Sequence, residues 1–291
     1  MRPTIATISP YGLRLAVREW TGSAPGAPGI LLLHGLGSSA RIFDDVAPRL
    51  ARGFRVVAYD QRGHGESGKP ASGYGFDHMA ADAFAVMDSL RLRRPVVVGH
   101  SWGANVALEA AARHPRRVAG AVLIDGGFIS MRARFDWPAA REQLRPPELG
   151  PMTVDGFVQM VRGFLEPAVP FTDTVEAVLR SIVRVGPDGL VHPRLSMRNH
   201  MKILRSIWEQ DSEGLLRALR VPTLVIAARD ASPDEGSWLE AKLRAARSIR
   251  AMDGPVRFAW MRGVHDLPIQ RAGAVAGRIR DFAREVHGPG P

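Results

Sequence analysis

The chain predicts an α/β fold: a mostly parallel, doubly wound sheet with a helical lid inserted after one of its strands. Three observations lead there. Short apolar runs recur at 13–20, 30–33, 55–59, 96–98, 119–124, 223–227 and 256–260. Runs with helical spacing fall between them near 39–50, 77–90, 104–113 and 236–247, and a last one covers 270–286. Such alternation calls for crossover helices on both faces of a parallel sheet. Between Gly126 and Leu219 the rhythm breaks: eight prolines fall there, no convincing strand is visible, and helical pieces remain at 154–165, 173–184 and 198–210. We therefore read 1–125 and 220–291 as the core and 126–219 as a helical lid or cap. A length of 291 residues suits one such domain, and 45% hydrophobic residues can fill its core.

Each core element has a local reason. Ile30-Leu31-Leu32-Leu33 is continuously apolar, as a strand buried on both faces must be. His34-Gly35-Leu36-Gly37 follows, a glycine-containing loop that can turn a backbone amide inward, with Leu36 the natural donor. Val96-Val97-Val98 is a β-branched strand, and Ala104 opens a run of helix formers. Between them stands Gly99-His100-Ser101-Trp102-Gly103, a strand–turn–helix of the G-x-S-x-G type. Glycines at both ends remove the Cβ atoms that would clash in so tight a bend, which leaves the hydroxyl exposed. The turn also sets Ser101 at a helix N-terminus, where free N–H groups favour developing negative charge. These features make Ser101 the expected nucleophile and the Trp102 amide a second oxyanion donor beside that of Leu36.

A serine hydroxyl needs a base, and the base needs an orienting acid. Of nine histidines, His265 sits in the loop after the late strand at 256–260 and before the 270–286 helix, whose Ala272, Val275, Ile279 and Phe282 share a face. His100 adjoins the serine, but neighbouring elbow residues point apart, so packing beneath the turn is its expected role. Two strands end in aspartate: 119–124 in Asp125, and 223–227 shortly before Asp230. Both keep the chain order Ser…Asp…His, so order leaves both open. In the lid, Phe128, Trp137 and Trp208 are expected to line an apolar substrate pocket.

Composition excludes several classes. No cysteine is present, so disulfides, thiolate metal sites and a cysteine nucleophile are ruled out. The net charge is +10, and only three of the 39 basic residues are lysines. The arginines are scattered, with no basic block and no nucleic-acid motif, which reads as a solvated surface rather than a nucleic-acid interface. No apolar run reaches the roughly 18 residues of a membrane span. The expectation is a soluble, cytoplasmic protein without metal or cofactor, acting on a small molecule.

His34-Gly35 after a strand, Asp60-Gln61-Arg62-Gly63-His64-Gly65-Glu66-Ser67, the Gly99–Gly103 elbow, Asp230 and His265 together resemble the α/β-hydrolase superfamily, in its branch of small serine esterases and lactonases. The resemblance covers residues 10–286, the middle segment least. It implies a Ser101–His265–Asp230 triad with Asp125 the alternative acid, and an ester or lactone substrate cleaved through an acyl-enzyme. It gives the Asp60–Ser67 segment a structural role. Ala228 stands where the family often has a glycine shortly before the acid. Carbon–carbon bond hydrolysis of a dienoic diketone acid is the alternative chemistry. A non-catalytic ligand-binding member of the fold is the alternative class.

Overall fold

The computed structural model describes residues 1–22, 26–229 and 236–288. Eight strands form one sheet in the order β1-β2-β4-β3-β5-β6-β9-β10. They are β1 (Thr4–Ile8), β2 (Leu15–Thr21), β3 (Gly29–Leu33), β4 (Arg55–Tyr59), β5 (Val96–His100), β6 (Gly120–Ile124), β9 (Thr223–Arg229) and β10 (Val256–Arg262). β1 and β2 pair antiparallel, as do β2 and β4, and every pair from β4 to β10 is parallel. The expected mostly parallel α/β architecture is what the chain forms. β1 lay outside the sequence reading because its side chains are exposed and it shows no alternation to detect.

Period-2 geometry divides the sheet residues between two cores. Leu31 and Leu33 of β3, Val97 of β5 and Leu123 of β6 face one side. They pack with α2 (Phe76–Ser89) and α3 (Trp102–Arg113), through Met79, Val86, Val106 and Leu108, and with Leu215 and Leu216 of α8 (Ser212–Ala218). Ile30, Leu32, Val96, Val98, Val122 and Ile124 face the other side. There they meet α1 (Ala47–Leu50) and α11 (Ala272–His287), which supplies Val275, Ile279 and Phe282. The helix expected over 39–50 is two pieces: a single turn at Ala40–Phe43, entered at Ser39, and α1, whose first turn holds Pro48. A proline lacks the N–H that would continue an earlier turn.

Residues 126–219 contain α4 (Trp137–Gln143), α5 (Val154–Leu165), α6 (Asp173–Ile182), α7 (Met197–Glu209) and α8. They also contain an antiparallel pair that the sequence reading missed, β7 (Val183–Val185) and β8 (Val191–Pro193). Residues 183–184, expected at the end of a helix, lie in β7 instead. α5, α6 and this hairpin share a separate apolar cluster of Phe157, Val158, Val175, Leu179, Val183 and Val191. After β9 come α9 (Gly236–Arg250) and, beyond β10, α10 (Leu267–Gln270). Among the described residues no helix is long and apolar enough to cross a membrane.

Candidate active site

Parallel strands all deliver their C-terminal ends to one edge, and there β3, β5, β6 and β10 release the site residues. Ser101 follows β5 directly and caps α3 with φ +53° and ψ −122°, a conformation that L-residues rarely adopt. The turn is that tight because backbones touch. A Cβ at Gly99 would collide with the Gly103 carbonyl, and one at Gly103 with the carbonyl of Leu33. Ser101 makes no capping bond with its side chain, while its N–H donates to the Ile124 carbonyl at 2.8 Å. Its hydroxyl is therefore left for chemistry.

His265 meets it. The imidazole Nε2 lies 2.9 Å from Ser101 Oγ, and Nδ1 lies 2.7 Å from Asp125 Oδ2. Asp125 comes one residue after β6, with φ +44°, and its N–H donates to the Ile226 carbonyl of β9. The carboxylate is buried, and Oδ1 accepts the Ala228 N–H at 2.8 Å and pairs with Lys242 at 3.1 Å. Burial alone would raise the Asp125 carboxyl. The bond from His265, the charges of His265 and Lys242 and the Ala228 amide outweigh it and hold the group below its ordinary value. Partial desolvation opposes charge on His265, whose side chain is half exposed, but the hydrogen bond and charge of Asp125 outweigh it, so the imidazole lies above its ordinary value.

Of the two expected acids, Asp125 is the one the described residues bring to Nδ1. Asp230 lies outside the described residues.

His100 does pack beneath the turn, and it also has a bond the sequence did not suggest. Its Nε2 donates to the carbonyl of His265 at 2.9 Å, which fixes the backbone that carries the base. Burial and the neighbouring His265 push His100 down to about 4, so it acts as a neutral donor. The loop after β3 is braced in a similar way. His34 accepts the Gln61 N–H at 2.9 Å, and His64 accepts the Gly37 N–H at 3.1 Å and stacks on Trp102 with centroids 5.2 Å apart. The Asp60 carboxylate takes the N–H groups of Ala40 and Glu66, so the Asp60–Ser67 segment buttresses this loop. Among the described residues no acceptor takes the N–H of Leu36 or of Trp102.

A cavity of about 510 Å³ opens on Ser101. Leu36, Trp102, Phe128, Met131, Leu204 and Trp238 give it a largely apolar wall, with Asn105, His200 and Lys242 adding polar groups beside Ser101, Asp125 and His265. Phe128 stands where expected. Trp137 and Trp208 do not line it; their rings pack on each other at 5.8 Å, Arg205 lies over both, and Trp208 donates to the Phe135 carbonyl. Helical spacing places Trp208 on an apolar face but does not tell which neighbour that face meets, and Trp137 lies in α4, where the sequence reading assigns no helix. Trp238 of α9, which the sequence reading passed over, takes a place in the wall. Among the described residues no cluster of His, Asp and Glu side chains converges as a metal site.

Comparison with known proteins agrees with this fold. The family model described as "alpha/beta hydrolase fold" matches residues 28–163. A non-heme haloperoxidase of Rhodococcus erythropolis is 33% identical over 235 residues, covering 75% of this chain and 79% of that protein. A putative non-heme haloperoxidase of Mycobacterium phage D29 is 44% identical over 101 residues, which span 34% of this chain and only 36% of the phage protein. Among solved structures, that of E-2-(acetamidomethylene)succinate hydrolase superposes with a TM-score of 0.78 at 24% identity, covering 96% of this chain and 98% of its own.

Proposed function

The chain belongs to the alpha/beta hydrolase fold family, and from that premise we propose that it is a serine hydrolase cleaving a carboxylic ester or lactone through an acyl-enzyme. The observation that carries this reading is the continuous relay Ser101–His265–Asp125, with links of 2.9 and 2.7 Å, opening into an apolar cavity. In the proposed mechanism His265 Nε2 takes the Ser101 proton as Oγ forms its bond to the substrate carbonyl carbon. Asp125 keeps the other ring proton on Nδ1 and balances the imidazolium charge. The amides of Leu36 and Trp102, which no acceptor among the described residues occupies, are suited to hold the oxyanion. The imidazolium then protonates the leaving oxygen as its bond to carbon breaks. Water, deprotonated by His265, repeats the sequence and releases the acid.

Phe128, Met131, Leu204 and Ile207, all from the 126–219 stretch, contribute to the cavity wall and support its role as a lid over the serine. An apolar wall around Ser101 favours an uncharged, medium-sized acyl group. The residue after His265 is Asp266, where similar carbon–carbon hydrolases often carry an aromatic.

A panel of p-nitrophenyl esters and lactones tests the proposal, with mass spectrometry of the Ser101 peptide after a short reaction. Turnover with an acyl adduct on Ser101 is the expected result. Inertness towards every ester and lactone, together with cleavage of a ring-fission diketone acid, would replace the reading with carbon–carbon hydrolysis.

A further inference from the structure

Lys242 is one of three lysines in a chain whose other basic residues are arginines, and it is 6% exposed. From α9 its Nζ reaches both oxygens of the Asp125 carboxylate, Oδ1 at 3.1 Å and Oδ2 at 3.2 Å, and donates to the Ala228 carbonyl at 3.1 Å. Oδ2 is the same oxygen that receives His265 Nδ1. An ammonium and an imidazole therefore share one carboxylate. A pair buried this deeply is costly to build for stability alone, since desolvation offsets much of the attraction. A serine relay does not itself require a cation on its acid.

We propose that Lys242 is a positioning residue for the relay: its ammonium fixes the Asp125 carboxylate and withdraws part of that carboxylate's charge from His265. The inference rests on the catalytic reading of Ser101, His265 and Asp125 given above.

The first half follows from the donor count. The Ala228 N–H holds Oδ1 and Lys242 bridges Oδ1 and Oδ2, so the carboxylate plane is set before His265 arrives. The bond from Nζ to Ala228 ties that plane to the end of β9 as well. The second half follows from sign. Asp125 favours the imidazolium and would hold His265 charged, hence unable to act as a base, up to a higher pH. A fixed positive charge on the same carboxylate opposes this. Among the described residues, the other titratable groups around His265 are Asp266 beside it, which favours its charge, and His100 of β5, whose ring lies 5.0 Å away. Lys242 is thus the cation in the set, and it lets the base stay free at a lower pH than the carboxylate alone would allow.

The pH dependence of kcat/KM on an activated ester tests this, because its acid limb reports the base in the free enzyme. Lys242→Met removes charge and hydrogen bonds, Lys242→Gln removes charge but keeps a donor, and Lys242→Arg keeps charge. Both neutral variants should move the acid limb upward by about one pH unit, a roughly tenfold loss of rate on that limb. The Met variant should also lose plateau rate that Gln retains, and Arg should leave the limb where it is. An acid limb unmoved in both neutral variants overturns the proposal. Failure of all three to fold, judged by circular dichroism, would make Lys242 a fold element and overturn it equally. Phosphonate labelling of Ser101 in the unaltered protein separates the two levels. Labelled serine with an unmoved limb removes only the role of Lys242, whereas unlabelled serine removes the catalytic reading beneath it.

Discussion

Asp125→Asn is the most informative single perturbation, because the bonds around the carboxylate dictate how the new amide must sit. The substituted side chain has one acceptor oxygen where Asp125 has two. Oδ1 receives the Ala228 N–H at 2.8 Å and Lys242 at 3.1 Å, so the amide oxygen belongs there. Turning the amide over would set its NH2 against two donors, and a buried unsatisfied donor costs about 1–3 kcal/mol. The NH2 is therefore aimed at His265 Nδ1, which must then accept, and the ring proton moves to Nε2. That nitrogen is 2.9 Å from Ser101 Oγ and can no longer take the serine proton. Loss of the orienting acid in serine proteases lowers kcat by about 10⁴-fold, or ~5 kcal/mol of transition-state stabilisation, and the same size is expected here. The assay is kcat on an activated ester for folded Asp125→Asn and Asp230→Asn, checked by circular dichroism and melting. Asp230→Asn should stay within about tenfold of the unaltered protein, a cost of ~1.4 kcal/mol at most. Near-normal turnover by Asp125→Asn beside a collapse of Asp230→Asn would refute the argument and return the acid to the end of β9.

Three further outcomes follow from the same geometry. Ser101→Ala should abolish turnover with little change in melting temperature, since the hydroxyl makes no capping bond; retained esterase activity would remove Ser101 from the reaction. Gly103→Ala forces a methyl group onto the Leu33 carbonyl and should cost several kcal/mol, read as a large fall in urea midpoint or insoluble expression. Acid should also destabilise the fold well above the carboxylate range. Burial pushes His34 down to about 4 and His64 to about 3, and burial with the charge of His265 lowers His100 to about 4, all against an ordinary 6.5. Below pH 6.5 the unfolded chain binds protons that the folded chain refuses, so stability is full above 6.5 and lost as pH falls towards those lower values. The loss is on the order of 2 kcal/mol per histidine at pH 5. Urea melts between about pH 7.5 and 5 measure it, and a flat midpoint over that range would contradict the buried neutral assignments. The lowered Asp125 carboxyl adds acid sensitivity only below 3.8, outside that window.

What could be read from the sequence is what local chemistry determines. Fully buried parallel strands need uninterrupted Val, Ile and Leu, so β3, β4, β5 and β6 could be located within two residues of their ends. The elbow could be read because steric exclusion at Gly99 and Gly103 leaves few other residues possible. What escaped depends on partners distant in sequence. β7 and β8 are three residues each, too short to carry a period. Trp208 had the right spacing for a buried face, but whether that face meets the cavity or another helix is fixed by how α4 and α7 cross. Lys242 sits on an ordinary helix of mixed charge, and only the fold reveals that it reaches a carboxylate 117 residues away.

The place of the acid has a more specific cause. β6 ends with Ile124 opposite Ile226, while the parallel β9 runs on to Arg229, so Asp125 leaves its strand alongside the last residues of its neighbour. What selects β6 is the backbone at its end. Asp125 turns with φ +44° while its N–H stays bound to Ile226, which swings the carboxylate across to the Ala228 N–H and under the imidazole. Asp and Asn tolerate that left-handed conformation better than most residues, so the one position where the strand must bend this way already carries a suitable acid. Its reach across β9 brings the carboxylate beside α9, where Lys242 meets it. The location of the acid and the presence of a buried lysine are therefore one structural event, and their effects on the pH profile should be non-additive: in an Asp125→Asn background, removing Lys242 should shift the acid limb by a different amount than in the unaltered protein.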